Sequence, residues 1–280
     1  MRSSGKRHLF SRTAFHIALA AFGFTYMYPF LWMLSGSLKT QQEFLGRSIN
    51  LLPKQAMWQN YIGAWQTAKF SIYFKNSALV TTMTTLIVVM LTSMAGYALA
   101  RSNFPGKKLL VGSILVTMFL PRGYTIVPIF ELVKKLKLLN TLWAVILVNA
   151  ATGMVFNTFL LLGYFTTLPK ELEEAAIIDG ANFPAIYWWV ALPLAKPMIG
   201  TVALFEFIDN WNSFFVPLVF TLGRPDLRTV AVGIYAFAGQ HATDWTLMCA
   251  AATMSLLPTM ILFFLLQRLF VEGLTGAIRG

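Results

Sequence analysis

The sequence predicts an all-α polytopic membrane protein with six transmembrane helices, and three observations predict it. Charged residues make up 12% of the 280 and hydrophobic ones 57%, about half the charge of an average soluble domain, whose charged share is about 25%. Mean hydropathy is +0.64. Six apolar stretches are long enough to cross a bilayer core, which takes about 20 residues of helix. Lipid cannot satisfy backbone amides, so a span must be a helix or part of a closed barrel, and no barrel-like alternation is visible. Abundant aromatics and scarce charge also exclude a disordered chain.

The first span is expected over 14–37. The basic-then-apolar order before it resembles a secretory leader, but the apolar run is too long for one and no small-x-small site ends it. The spacing predicts further spans over 76–100, 109–130, 141–165, 198–222 and 246–266. The second, fourth and sixth carry no charge; the third is interrupted by Pro121, Arg122 and Pro128, and the fifth holds Glu206 and Asp209. Six spans put both termini on one side. The 22 lysines and arginines divide evenly between the two sides, so charge counting leaves orientation open. Only the density at Arg2, Lys6, Arg7 and Arg12, and in "RSNFPGKK", favours a cytoplasmic N-terminus. Residues 1–13 then form a cytoplasmic leader to a transmembrane domain over 14–280. The segment 38–75 carries Trp58, Tyr61, Trp65 and Phe70, which suit an interfacial helix or a docking surface.

The net charge of +11 does not imply nucleic acid, because the basic residues flank apolar runs instead of forming one patch. The single cysteine, Cys249, excludes an intrachain disulfide. His8, His16 and His241 are too dispersed in sequence to suggest a metal site, and no cofactor is expected. No phosphate loop, H-E-x-x-H or C-x-x-C occurs, so no enzyme activity is expected.

The stretch 168–197, "LPKELEEAAIIDGANFPAIYWWVALPLAKP", stands apart. Glu171, Glu173, Glu174 and Asp179 fall within nine residues of a chain with 11 acids. Thr166 or Thr167 is expected to cap a helix with Pro169 in its first turn, and its glutamates sit near the positive end of the helix dipole. Ala175 and Ala176 permit close approach, and Gly180 supplies the stop. Asn182 caps a second short helix, and Pro193 and Pro197 lead into the fifth span. The result is a helix–turn–helix outside the bilayer, joined at both ends to spans, so a partner that grips it moves two spans together.

Glu174-Ala175-Ala176, three residues, Gly180, nine residues and "VALP" resemble the EAA loop of ABC importer permeases, with Val190 where isoleucine is usual. "FKNS" (74–77), "AGYALARSNFPGKK" (95–108), "EFIDNWNSFFVPL" (206–218) and the tail "QRLFVEGLTGAIRG" resemble the smaller permease subunit of maltose-like, carbohydrate-type importers. The tail is shorter than the family's. The resemblance implies a cytoplasmic coupling helix between spans four and five, within the loop 166–197, and cytoplasmic termini. It implies an inner-membrane location, a second permease subunit, two ATPase subunits and an extracytoplasmic solute-binding protein as partners, and a sugar as substrate. Glu171, Glu174, Ala175, Ala176, Asp179 and Gly180 are the expected ATPase-docking residues, and ATP hydrolysis is expected in the partner.

Glu206, Asp209, Asn210 and Ser213 share helical spacing in the fifth span. With Trp211 and Phe214 they suit either the translocation path or the interface with the second permease. Arg122, about 20 Å into the third span at 1.5 Å per residue, pairs with Glu206 or Asp209, binds an anionic sugar, or snorkels outward; pairing is the preferred reading. Two alternatives stand beside the sugar importer. One is an ABC permease for another solute, such as a polyol phosphate. The other is a self-contained secondary transporter, which would call for internal repeats that are not visible.

Overall fold

A computed structural model describes residues 3–46, 50–67, 69–120, 122–235, 237 and 243–278, with backbone alone at 3–11, 14, 67, 122–123 and 270–278. The elements are helical. In chain order they are α1 (Ser3–Ser37), α2 (Gln41–Leu45), α3 (Gln59–Thr67), α4 (Phe70–Arg101), α5 (Lys107–Thr117), α6 (Ile126–Lys135) and α7 (Leu142–Thr167). Then follow α8 (Glu171–Ile178), α9 (Phe183–Ile186), α10 (Leu192–Leu194), α11 (Lys196–Trp211), α12 (Phe215–Phe220), α13 (Val230–Tyr235) and α14 (Trp245–Ile278). Among the described residues, four helical stretches are long and apolar enough to cross a membrane: Phe15–Ser37, Phe70–Arg101, Leu142–Thr167 and Trp245–Leu269. A fifth candidate is the pair Phe183–Leu194 and Lys196–Trp211, bent by 76°.

The chain divides into two compact units, 1–70 with 234–256, and 71–233 with 257–280. In the first unit α1 exposes its apolar side chains, Phe22 and Tyr26 among them, as a helix facing lipid does. Polar bonds order the segment that follows. Thr40 caps α2 by accepting from Glu43 N, Asn60 Nδ2 donates to the carbonyls of Ser37 and Lys39, and Ser37 Oγ lies 2.7 Å from Tyr61 OH. Phe44 stacks on Trp245. The expected aromatic helix is α3, with Trp58 just before it and Trp65 within it, both exposed.

Two clusters of buried side chains hold the second unit. One joins Val80 of α4, Val133 of α6, Ala144, Val145, Ile146 and Val148 of α7, and Phe220 of α12. The other joins Tyr97 of α4, Leu161 and Phe165 of α7, Ile186 and Tyr187, and Met198 and Val202 of α11. The "FKNS" block has a structural use. Asn76 Nδ2 donates to the carbonyls of Asp226 at 2.8 Å and Arg228 at 3.0 Å, and Ser77 Oγ accepts from Val230 N.

Three expectations are corrected in detail. The stretch expected as the third span, already interrupted in sequence by Pro121, Arg122 and Pro128, forms two helices: α5 ends at Thr117, a 3₁₀ turn runs from Arg122 to Thr125, and α6 continues to Lys135. Proline has no N–H to donate, which makes the sequence around Pro121 a natural break. The fifth span is interrupted after Trp211, where "NSF" separates α11 from α12. The third correction concerns the expected cap. Thr166 and Thr167 belong to the last turn of α7 and donate to the carbonyls of Gly163 and Tyr164, while Lys170 stands at the cap position of α8 and makes no side-chain cap bond.

Candidate functional site

The acidic stretch folds as two short helices around a tight stop. Glu171, Glu173 and Glu174 occupy the first turn of α8, where unpaired N–H groups and the dipole favour carboxylates. Gly180 has φ +85°, a region that costs a side-chain-bearing residue about 1–2 kcal/mol. Gly180 N donates to Ile177 O and Ala181 N to Ala176 O, both at 2.9 Å, which closes the helix as a Schellman motif. Asn182 Oδ1 then accepts from Ala185 N and caps α9. A single π-turn over Tyr187–Ala191 carries the chain into α10. Buried Ala195 follows, and then α11.

Glu171, Glu174, Ala175, Asp179 and Gly180 are exposed, whereas Ala176 is half-buried and packs against the Tyr97–Phe165–Tyr187 cluster. Leu172 and Ile178 are also exposed, the latter at 87%. α8 thus offers acidic and apolar side chains outward. Glu173, which the sequence reading left without a role, turns inward. Arg101 Nε donates to Glu173 Oε1 at 2.7 Å, with the two side chains 7% and 14% exposed. A second nitrogen of the same guanidinium donates to Leu168 O at 2.9 Å, and Tyr97 OH donates weakly to Glu173 Oε2 at 3.4 Å. Ser93 and Tyr187 share a hydrogen bond of 2.8 Å, which adds a contact between α4 and the loop. The available signal was Arg101 itself, read only as a flanking charge.

The second group of expected residues separates. Glu206 and Asn210 are buried, 5% and 4% exposed, and Asp209 is exposed. Asn157 Nδ2 donates to Glu206 Oε1 at 2.6 Å, and Asn210 Nδ2 to Glu206 Oε2 at 3.0 Å. A side chain at Gly153 would press on the Glu206 carboxylate, since its Cβ would lie 2.5 Å from Glu206 Oε1 and 2.7 Å from Oε2. α7 therefore supplies a gap and an amide that together receive the carboxylate of α11. Gly153, Asn157, Glu206 and Asp209 line a cavity of about 310 Å³ with Phe156, Phe205 and Ile208. Ser213 lies beyond the end of α11 and bonds back to Asn210 O, so the polar stripe stops one turn early. Trp211 is buried, edge-on to Phe74 at 5.2 Å and stacked on Phe207 at 5.7 Å; its faces are taken up by protein. The side chain of Arg122 lies outside the described residues, as does its expected pairing. Asn157 and Gly153 were missed, although an amide in a charge-free span is itself a signal.

A spaced EAA loop on a helical membrane scaffold has a counterpart among known proteins. The family described as the binding-protein-dependent transport system inner membrane component matches residues 89–276. The chain belongs to that family. It is a multi-pass ABC permease component of the carbohydrate, maltose-like type. Among its relatives is the probable ABC transporter permease protein YurM of Bacillus subtilis, 34% identical over 90% of this chain and 84% of that one. Another is the trehalose/maltose transport system permease protein MalG of Thermococcus litoralis, 34% identical over 91% and 92%. In fold the permease resembles a chain in the crystal structure of a bacterial ABC transporter involved in the import of alginate. The TM-score is 0.82 at 23% identity, covering 96% of this chain and 99% of that one.

Proposed function

We propose that this permease is the transmembrane subunit of an ATP-driven importer for sugars or oligosaccharides in the cell membrane of a bacterium or archaeon. It forms the translocation path with a second permease subunit, receives solute from an extracytoplasmic binding protein, and takes its energy from two ATPase subunits. The loop 166–197 faces the cytoplasm and docks the ATPase through Glu171, Glu174, Ala175, Ala176, Asp179 and Gly180. Both termini are cytoplasmic. Six crossings are proposed, the third built from α5 and α6 together and the fifth from α11 and α12.

The observation that carries this reading is the presentation of α8. Glu171, Glu174, Ala175 and Asp179 lie on its exposed side, while the π-turn and Ala195 connect it to α11 without a flexible linker. A partner that moves α8 therefore moves a membrane helix, as a rigid-body transition requires. The relative named for trehalose and maltose supports the sugar class. Arg122, Glu206, Asp209, Asn210, Trp211 and Ser213 are assigned to the path or to the interface with the second permease.

The test is co-expression with the candidate partners, purification, and uptake by proteoliposomes with ATP inside or outside. The complex is expected to retain two ATPase subunits and to take up a labelled neutral sugar only with ATP on the loop side. Uptake without any nucleotide would replace this reading with a secondary transporter.

A further inference from the structure

We infer that Arg101 and Glu173 are positioning residues that bind α8 to the end of α4, so that α4 travels with the coupling loop during the transport cycle. The inference rests on the docking role proposed for α8 and adds a second membrane helix to what that role moves.

Packing alone holds α8 weakly. None of its residues is buried, and Ala176 is its one apolar side chain packed against the neighbouring cluster. The polar contacts are stronger and are concentrated on one cation. Arg101 is the last residue of α4. Its guanidinium reaches the carboxylate of Glu173 in the first turn of α8 and the carbonyl of Leu168, the residue that closes α7. It thus places positive charge at the negative ends of two helix dipoles, and its partner carboxylate lies at the positive end of a third. A planar fork can serve two acceptors at fixed angles, which a lysine ammonium on a flexible stem does not reproduce. The pair is nearly removed from water, where breaking one partner is much more damaging than at a surface. Glu173 is turned away from the exposed face that carries Glu171 and Glu174, so its work lies within the permease.

Spin labels provide a test that needs no transported solute. Lys170→Cys and Leu86→Cys, both at exposed positions, are combined with Cys249→Ser in the assembled transporter. The distance between the labels is measured without nucleotide and after trapping with ATP and vanadate. A single narrow distance, the same in both states, is expected. Adding Glu173→Gln or Arg101→Lys is expected to produce a second, longer population in the trapped state while both ATPase subunits still co-purify. The combined reversal Arg101→Glu with Glu173→Arg is expected to recover the narrow distance in part, since Leu168 O loses its donor. A distance that changes between states in the unsubstituted pair overturns the inference. So does a narrow distance that survives Glu173→Gln, and so does a complex that simply fails to fold with either single substitution and is not recovered by the reversal. Loss of the ATPase from the unsubstituted complex would strike the docking role instead.

Discussion

Replacing Gly153 by alanine places a methyl group where the Glu206 carboxylate lies. The expected cost is about 1–3 kcal/mol, the range for overpacking a filled interior, read as a lowered melting point of the detergent-solubilised permease. Asn157→Leu is expected to cost at least as much, because it removes a 2.6 Å donor from a buried carboxylate and leaves that charge less satisfied. An Asn157→Leu variant that melts with the native protein would show that the amide is dispensable. Neither contact was legible in the sequence. Spacing along one helix predicted Glu206 beside Asn210, and they do bond, but the partner residues stand on another helix 49 positions away. Gly180 and Asn182 were legible because a left-handed turn and a helix cap are set by their own few neighbours.

At the scale of the elements, α8 and its stop are the parts that substitution should separate most cleanly. Proline cannot adopt φ +85° and also has no N–H for the bond to Ile177 O. Asparagine tolerates the left-handed region. Gly180→Pro is therefore expected to abolish co-purification of the ATPase subunits and Gly180→Asn to preserve most of it, with membrane insertion intact in both. Glu174→Lys reverses an exposed charge at the positive end of α8 and is expected to weaken the same association without changing the melting point. Equal ATPase recovery from Gly180→Pro and Gly180→Asn would remove the turn from the docking role. Hydropathy located the apolar stretches but not their interruptions. In the apolar run from Leu109 to Phe130 it was Pro121, Arg122 and Pro128 that marked the interruption, and α5 and α6 are separate helices. "NWNS" reads as a polar stripe, whereas its second half is where α11 ends. A window average blurs a break of three residues, and proline or paired asparagine content is the finer guide.

For the whole molecule the prediction concerns sidedness. With the topology proposed above, a cysteine replacing Lys170 is expected to react with a membrane-impermeant maleimide only from the cytoplasmic side, and one replacing Trp58 only from the opposite side. Both positions are exposed, so failure to react would not reflect burial. Labelling of both from one side would mean an even number of crossings between them, where three are proposed. The evenly divided lysines and arginines made this the least legible property of the chain. The local density of basic residues around the first span and the loop, through its resemblance, indicated the same side.

The bend at Ala195 bears on how force passes through the permease. The helix direction bends there by 76°, and the corner is filled: Ala195 is completely buried, and the bonds from Ala195 N to Ala191 O and from Ile199 N to Ala195 O are both intact at 2.9 Å. A corner that keeps its backbone bonds and leaves no room to fold further behaves as an elbow splinted in plaster. Under the docking role and topology proposed above, a sideways nudge on the short arm emerges as a tilt of the long one, and a motor sliding parallel to the bilayer swings a helix that stands across it.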